Sequence, residues 1–171
     1  MKDKHSTRAP KQFGDFGEGL TTYALIRKGF EVAYVDHVGA DLIAEKNKYR
    51  IAVSVKSRMF RAQSRESRMT VFTRDHLDKL EHFAKRFQLD PVIAQVVCIV
   101  DRSIMHLFML RAKDVRKKLK SGKHGFSLHF GPKSLEHTKS LDFVDYSCWA
   151  QECVSTDLFR GHGQRIERTA S

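Results

Sequence analysis

Residues 40–57 read ADLIAEKNKYRIAVSVKS, two runs of mostly apolar and β-branched residues on either side of a short polar stretch. This pattern is typical of a β-hairpin. It predicts one strand at Ala40–Glu45 and another at Tyr49–Ser57, joined by a tight turn at Lys46–Lys48. The chain on either side of this hairpin alternates between helical and strand patterns.

A turn centred between Asn47 and Lys48 sets the register of the hairpin, because strand residues pair symmetrically about the turn. In that register Asp41 lies opposite Ser54. Side chains alternate between the two faces of a strand, so Asp41, Ser54 and Lys56 share one face. The opposite face carries the apolar residues Leu42, Val53 and Val55. The polar face is either a solvated surface with an Asp–Lys ion pair or a catalytic site, and the hairpin alone does not distinguish the two.

The segment before the hairpin predicts a helix at Asp15–Lys28 and a short strand at Glu31–Asp36. Glu18 shares its helical face with Thr22 and Leu25, so its carboxylate is expected to point towards the sheet. The alternative is a glutamate near the helix start that is favoured by the helix dipole.

The chain after the hairpin continues with further regular elements. Thr73 is a good N-cap for an amphipathic helix at Arg74–Phe87. Residues 58–72, rich in Arg and Ser, are predicted to form a loop or a marginal helix. The remaining predicted elements are strands at 91–100 and 104–110 with a turn between them, a basic helix at 112–120, and strands near 126–130 and 141–149. The order helix, three strands, helix, two strands predicts an α/β fold with a mixed central sheet flanked by helices.

The length of 171 residues suits one domain with its own core. We expect a single domain over residues 13–160, with its core at about 13–110 and additions at 111–160. Residues 1–12 and 161–171 are expected to be a disordered N-terminus and a disordered tail.

Composition and charge narrow the class of protein. A net charge of +11 favours a polyanionic partner such as DNA, because neutralising phosphates releases counterions. No apolar run is long enough to cross a membrane, and the N-terminus lacks the apolar segment of a secretory signal. The three cysteines are expected to be reduced thiols rather than disulfides or zinc ligands. We therefore expect a cytoplasmic protein that binds DNA and has no membrane partner.

The stretch FGDFGEGLTTYALIRKGFEVAYVDHVGADLIAEKNKYRIAVSVKSR, residues 13–58, resembles the core of PD-(D/E)xK nucleases and is similar to archaeal Holliday junction resolvase-like endonucleases. The matching residues are a glutamate on the first helix (Glu18), an aspartate opening the second strand (Asp41) and the lysine of the third (Lys56). The likeness extends over about residues 13–110. It implies a restriction-endonuclease-like αβββαβ core and a metal-dependent DNA endonuclease acting on branched or otherwise structured DNA. Many such enzymes act as two-fold dimers, so a homodimer is compatible with it.

The resemblance also implies how the site would work. Mg²⁺ or Mn²⁺ would be bound by Asp41, by the backbone carbonyl of Val55, by Ser54 directly or through water, and by Glu18 or a water that Glu18 holds. Lys56 would orient the attacking water or stabilise negative charge that develops on the phosphate. Glu18, Asp41, Ser54 and Lys56 are then the catalytic set, and Glu18, Asp41 and Val55 the metal set.

Two residues depart from the family pattern. Ala40 stands where the motif has proline, and Ser54 stands where it has an acid or, in some members, glutamine. The serine removes a carboxylate, the ligand that hard divalent ions prefer. Glu45 and Glu66 are weak candidates to replace it. The alternative function is a catalytically silent nuclease-fold module that binds DNA, and a third is a protein–protein adaptor built on the terminal third of the chain.

A run of arginines follows the third predicted strand: Arg58, Arg61, Arg65 and Arg68. Their spacing would place them on one stripe of a helix, where they could bind DNA phosphates without reading sequence. The alternative is a solvated loop. A second basic cluster, at Lys117, Lys118, Lys120 and Lys123, is interpreted as a charged helix end.

Overall fold

A computed structural model describes residues 8–60, 68–99 and 104–150 of the chain. Its helices are α1 (Ala9–Arg27), α2 (Arg74–Phe87), α3 (Ala112–Lys118) and α4 (Pro132–Lys139). Its strands are β1 (Glu31–His37), β2 (Ala40–Lys46), β3 (Tyr49–Phe60), β4 (Met69–Phe72), β5 (Asp90–Ile99), β6 (Ile104–Arg111), β7 (Lys120–Gly122), β8 (Gly125–His129) and β9 (Val144–Ala150).

The main sheet has six strands in the order β1-β2-β3-β5-β6-β9. The central pair, β3 and β5, is parallel, and the other neighbours in this sheet are antiparallel. A parallel pair needs a crossover connection, and here α2 lies within it. The predicted mixed central sheet flanked by helices is therefore confirmed. The strands β4, β8 and β7 form a second, separate sheet in the order β4-β8-β7.

The β2–β3 hairpin has the predicted register. Ile43 pairs with Ala52, and Leu42 pairs with Val53. The turn residues Asn47 and Lys48 have φ values of 49° and 67°, as the two-residue turns of tight hairpins require. The described ladder ends at the Leu42–Val53 pair, one residue before Asp41.

The two faces of the main sheet are both buried. One face packs on α1 through a core that contains Leu25, Val53 and Val96. The other face packs on α2 through a core that contains Ala52 and Leu77. The face predicted to carry Ser54 and Lys56 is therefore covered by a helix, and the interpretation as an open, solvated sheet face is wrong.

Helix α1 begins at Ala9, six residues before the predicted start, with proline in its first turn. Proline suits that position because its ring fixes φ at a helical value and the N–H that it lacks would be unpaired there in any case. Residues 9–12, which were expected to be disordered, are thus helical. Glu18 lies in the middle of α1, so the alternative of a first-turn glutamate is wrong. Gly29, at φ 83°, lies directly after Lys28, the predicted end of this helix.

Helix α2 has the predicted bounds, and the Thr73 hydroxyl accepts a hydrogen bond from the His76 backbone N–H at 3.2 Å. Residues 58–60 and 69–72 differ from the predicted loop or marginal helix: β3 continues to Phe60, and Met69–Phe72 forms β4. Helix α3 ends two residues early, at Lys118, and α4 and β7 lack a counterpart among the predicted elements. The predicted turn at 101–103 and the expected tail at 161–171 lie outside the described residues. Among the described helices, none combines the length and apolar character that a membrane crossing requires.

Candidate active site

The site lies where β2 and β3 part. Within the described ranges, residues 55–60 of β3 pair only with β5, because the β2 ladder stops at Leu42. At this point the Asp41 carboxylate replaces the backbone partner of β3: its Oδ2 accepts a hydrogen bond from the Val55 backbone N–H at 2.6 Å. The N–H and C=O of one strand residue project towards the same side, so the Val55 carbonyl opens towards β2 as well. The split between the strands thus gathers a carboxylate and a backbone carbonyl.

Lys56 follows directly on β3 and is half-buried. Its backbone carbonyl accepts a hydrogen bond from the Gln95 side-chain amide at 3.1 Å. Gln95 is fully buried on β5 beside Lys56 and also bonds to the Val96 carbonyl at 3.0 Å. A glutamine inside an otherwise apolar strand is the sequence signal for this support. The strand pairing and this amide together hold the lysine backbone in place.

Glu18 reaches the site because α1 approaches β3 very closely. A Cβ atom on Gly17 would lie 1.9 Å from the Ser57 Oγ, so glycine permits this contact between helix and strand without displacing the hydroxyl. The pKa of Glu18 is raised above its ordinary value, first by burial and then by the negative charges of Asp41 and Asp15, while Lys56 lowers it. Glu18, Asp41 and Lys56 are therefore electrostatically coupled, as one site requires.

Asp41 and Lys56 do not form the ion pair that was the structural alternative. Among the ion pairs of the described residues, none joins these two side chains. The carboxylate is bound to a backbone N–H instead, and the lysine side chain lines a cavity on the α2 side of the sheet.

Ser54 is buried and lines the same cavity as Lys56. The volume of this cavity is about 220 Å³, and its wall includes Thr70 from β4 and His76 from α2. The pKa of His76 is lowered, first by burial and then by the positive charge of Lys56, so the imidazole is neutral near neutral pH. Sequence reasoning missed this cavity, because α2 and β4 reach it only through the tertiary fold.

Of the two candidate replacements for the missing acid, only Glu45 lies among the described residues. Glu45 forms an ion pair with Arg50 at 3.3 Å near the hairpin turn, about 13 Å along the strand from Asp41. That interpretation of Glu45 is wrong, and Glu66 lies outside the described residues. Over residues 8–60, 68–99 and 104–150, no three His, Cys, Asp or Glu side chains are grouped to hold a metal ion. Cys98 and Cys148 are free thiols, as expected.

The predicted arginine stripe is only partly described. Arg58 lies on strand β3 rather than on a helix, so a helical stripe starting there is wrong. It does line the cavity beside Lys56. Arg61 and Arg65 lie outside the described residues. Arg68 precedes β4, and its backbone carbonyl accepts a hydrogen bond from the Phe130 N–H at 2.7 Å.

The six-stranded mixed sheet, with α1 and α2 on opposite faces and an acid and a lysine where two strands part, defines a restriction-endonuclease-like fold. The resemblance to PD-(D/E)xK nucleases that the sequence indicates is thus confirmed at the level of the fold.

Solved structures give the same answer. The chain is similar to Hjc, a Holliday junction resolvase of Archaeoglobus fulgidus, with a TM-score of 0.50 and 15% identity over 72% of this chain and 88% of that one. It also matches the bacterial homing endonuclease I-Ssp6803I (TM-score 0.44, 16% identity, 77% and 85% covered) and a restriction endonuclease in complex with substrate DNA (TM-score 0.36, 10% identity, 91% and 78% covered). The fold assignment rests on the first of these. No protein-family model and no curated protein sequence matches the chain.

Proposed function

We propose that the protein is a metal-dependent DNA endonuclease of the PD-(D/E)xK type, with Glu18, Asp41 and Lys56 as its catalytic side chains. The observation that carries this proposal is the 2.6 Å hydrogen bond from the Val55 N–H to the Asp41 carboxylate. It fixes an acid where β2 and β3 part, against the residue that directly precedes Lys56.

The donor groups suit Mg²⁺, because this ion keeps several waters and is rarely bound by protein ligands alone. Mg²⁺ in nucleases of this kind is bound through one or two carboxylates, with water and substrate phosphate completing the shell. Asp41 and Glu18 supply two carboxylates, and the Val55 carbonyl supplies a neutral oxygen. The negative charge of Asp41 raises the pKa of Glu18, so the two acids repel each other and a cation would relieve that repulsion.

Each residue of the candidate active site then has a separate role. A bound divalent ion supplies Lewis-acid chemistry that polarises a phosphodiester and lowers the pKa of water. Asp41 is held by Val55, so one of its carboxylate oxygens is committed and the other is free for a cation. Lys56 places a positive charge beside the phosphate and stabilises the negative charge that develops during hydrolysis. Glu18 binds or orients water next to Asp41.

DNA is the proposed substrate, because the net charge of +11 favours a polyphosphate. Branched or otherwise structured DNA is the proposed form, by similarity to a chain that is a Holliday junction resolvase.

The test is cleavage of supercoiled plasmid and of a synthetic four-way junction with Mg²⁺ or Mn²⁺. Asp41→Asn is expected to lower the cleavage rate by at least about a hundredfold, since it removes the anchored anionic ligand. The matched control is Glu45→Gln, which neutralises an acid on the same strand but outside the site, and it should cleave like the unsubstituted protein. Equal cleavage by the Asp41→Asn and unsubstituted proteins would refute the proposal.

The alternative function, a silent DNA-binding module, is favoured by one observation: buried Ser54 stands where the family has an acid. Such a module would bind DNA in EDTA and show no cleavage with either metal. Mn²⁺ titration calorimetry of the unsubstituted protein separates the two functions. An active site should bind Mn²⁺ with an affinity that Asp41→Asn weakens, whereas a silent module should show no Asp41-dependent metal binding.

A further inference from the structure

The cavity on the α2 side of β3 has a wall that suits an anion. Its polar side chains are cations, an imidazole and hydroxyl groups, contributed by three separate elements: Lys56, Arg58, Ser54, Thr70 and His76. Among the described residues, no carboxylate lines this cavity. The cavity therefore differs chemically from the proposed metal centre, whose side-chain ligands Asp41 and Glu18 are both acids.

The positive charges at this cavity are not neutralised by the protein. Taking the chain as the structure describes it, neither Lys56 nor Arg58 forms an ion pair through its side chain. By contrast, Arg116 on α3 binds both Asp78 and Glu81. Cations that converge on a partly buried opening without an acid produce a positive potential that favours a bound anion.

A buried hydroxyl also lacks a partner there. Thr70 is 4% exposed, and its Oγ1 has no hydrogen-bond partner in the described part of the chain. A buried polar group without a partner destabilises the folded state, so such groups are found where a ligand or water completes the bonding. Thr70 lies on β4, in the second sheet, and forms part of the cavity wall.

The size of the cavity limits the ligand to a group rather than a whole molecule. Its volume of about 220 Å³ equals the share of about seven water molecules in the liquid. Pockets that enclose a complete small-molecule ligand usually have volumes of roughly 300–1,000 Å³. The inner wall is apolar, with Phe72, Leu77, Leu80 and Ile93. A phosphate group at the cationic wall, with its attached sugar carbons against the apolar one, matches both the size and the chemistry.

We propose that this cavity is a phosphate-binding subsite next to the candidate active site, in which Arg58, His76 and Thr70 bind one phosphate group of a nucleic-acid strand, while Lys56 lies between this subsite and the metal centre. The proposal rests on the proposed function only in taking the strand as the substrate. The phosphate is either a terminal phosphomonoester or an internal phosphodiester, and these share the same anionic oxygens. The subsite would seat one phosphate while the metal centre acts on another.

The first test measures binding of thymidine 5′-monophosphate in EDTA by calorimetry, so that no metal contributes. Arg58→Gln and His76→Ala should each weaken binding, by about tenfold for the arginine, since a charge-assisted hydrogen bond is lost. The matched controls are Arg86→Gln and His82→Ala on the exposed surface of α2, which lie outside the cavity lining. Controls that weaken binding as much as the cavity variants, or cavity variants that bind like the unsubstituted protein, would overturn the proposal.

Thr70→Val distinguishes a ligand-binding role of the Thr70 hydroxyl from a structural one. Removing an unpartnered buried hydroxyl should leave the thermal midpoint of the free protein unchanged or raised, while nucleotide binding weakens. A lowered midpoint with unchanged binding would count against the subsite.

Oligothymidine with and without a 5′-phosphate distinguishes the two sources of phosphate. A preference for the phosphorylated strand that Arg58→Gln removes identifies a terminal phosphate. Equal binding of both strands, weakened equally by Arg58→Gln, identifies an internal phosphate. Binding of both strands that Arg58→Gln leaves unchanged rejects the subsite. Asp41→Asn should abolish cleavage yet keep nucleotide binding, so failure of the subsite and failure of the proposed nuclease give different results.

Discussion

The contact between Gly17 on α1 and Ser57 on β3 predicts an unusual response to alanine. In an exposed helix, Gly→Ala stabilises the folded state by about 1 kcal/mol, because glycine loses more backbone entropy on folding. At Gly17 the new Cβ would lie 1.9 Å from the Ser57 Oγ and 3.2 Å from its Cβ. Rotating the serine hydroxyl away relieves the first contact but not the second, so Ser57 or α1 must shift by a few tenths of an ångström. Overpacking of this kind costs about 1–3 kcal/mol.

Gly19 is the matched control, since it lies two residues further along the same helix and its added Cβ would have no neighbour within 4 Å. We expect Gly19→Ala to raise the free energy of unfolding by about 1 kcal/mol. Gly17→Ala should change it by between about 0 and −2 kcal/mol, the sum of the same gain and the overpacking cost. The two variants should thus differ by about 1–3 kcal/mol in urea unfolding followed by circular dichroism.

Ser57→Ala, which removes the nearest atom, should recover part of the loss when it is combined with Gly17→Ala. Because α1 carries Glu18, Gly17→Ala should also slow cleavage while Gly19→Ala does not. If Gly17→Ala stabilises the protein as much as Gly19→Ala does, α1 does not press on β3 at this residue and the close approach described for the site is incorrect.

Two further predictions concern stability. Gly39→Ala should cost at least about 2 kcal/mol of unfolding free energy in the same urea assay, because φ is 112° and the new Cβ would lie 2.6 Å from the Lys79 carbonyl oxygen; Gly14→Ala, with open space around it, is the control. Burial of His106 lowers its pKa from 6.5 to about 4, so between these pH values the unfolded chain binds a proton that the folded chain does not. Stability should therefore fall by up to about 3 kcal/mol as the pH is lowered from 6.5 to 4, and a His106→Gln variant that kept the same pH dependence would contradict this assignment.

The local parts of the site could be predicted from the sequence. Strand alternation and a two-residue turn determine the hairpin register, and these depend only on neighbouring residues. That is why the shared face of Ser54 and Lys56 was predictable. The start of α1 could also have been predicted from the sequence, because Pro10 is a residue typical of the first helical turn.

The non-local parts could not be predicted in this way. Strand β4 pairs with β8, more than fifty residues later in the chain, so its four residues do not reveal its partner. Whether the face of Ser54 is solvated or covered depends on where α2 packs, which no local pattern reports. The cavity beside Lys56 exists only because α2 and β4 both reach β3 from outside the hairpin.

Strand β1 forms one outer edge of the main sheet, and its pairing with β2 shifts register between Tyr34 and His37. An outer strand presents unpaired backbone groups that can recruit a strand from another molecule and start aggregation. A bulge interrupts that template because it twists the edge out of line, and the exposed acids Glu31 and Asp36 add repulsion between like edges. The irregularity in β1 therefore protects a sheet with an apolar core from growing into fibres at high protein concentration.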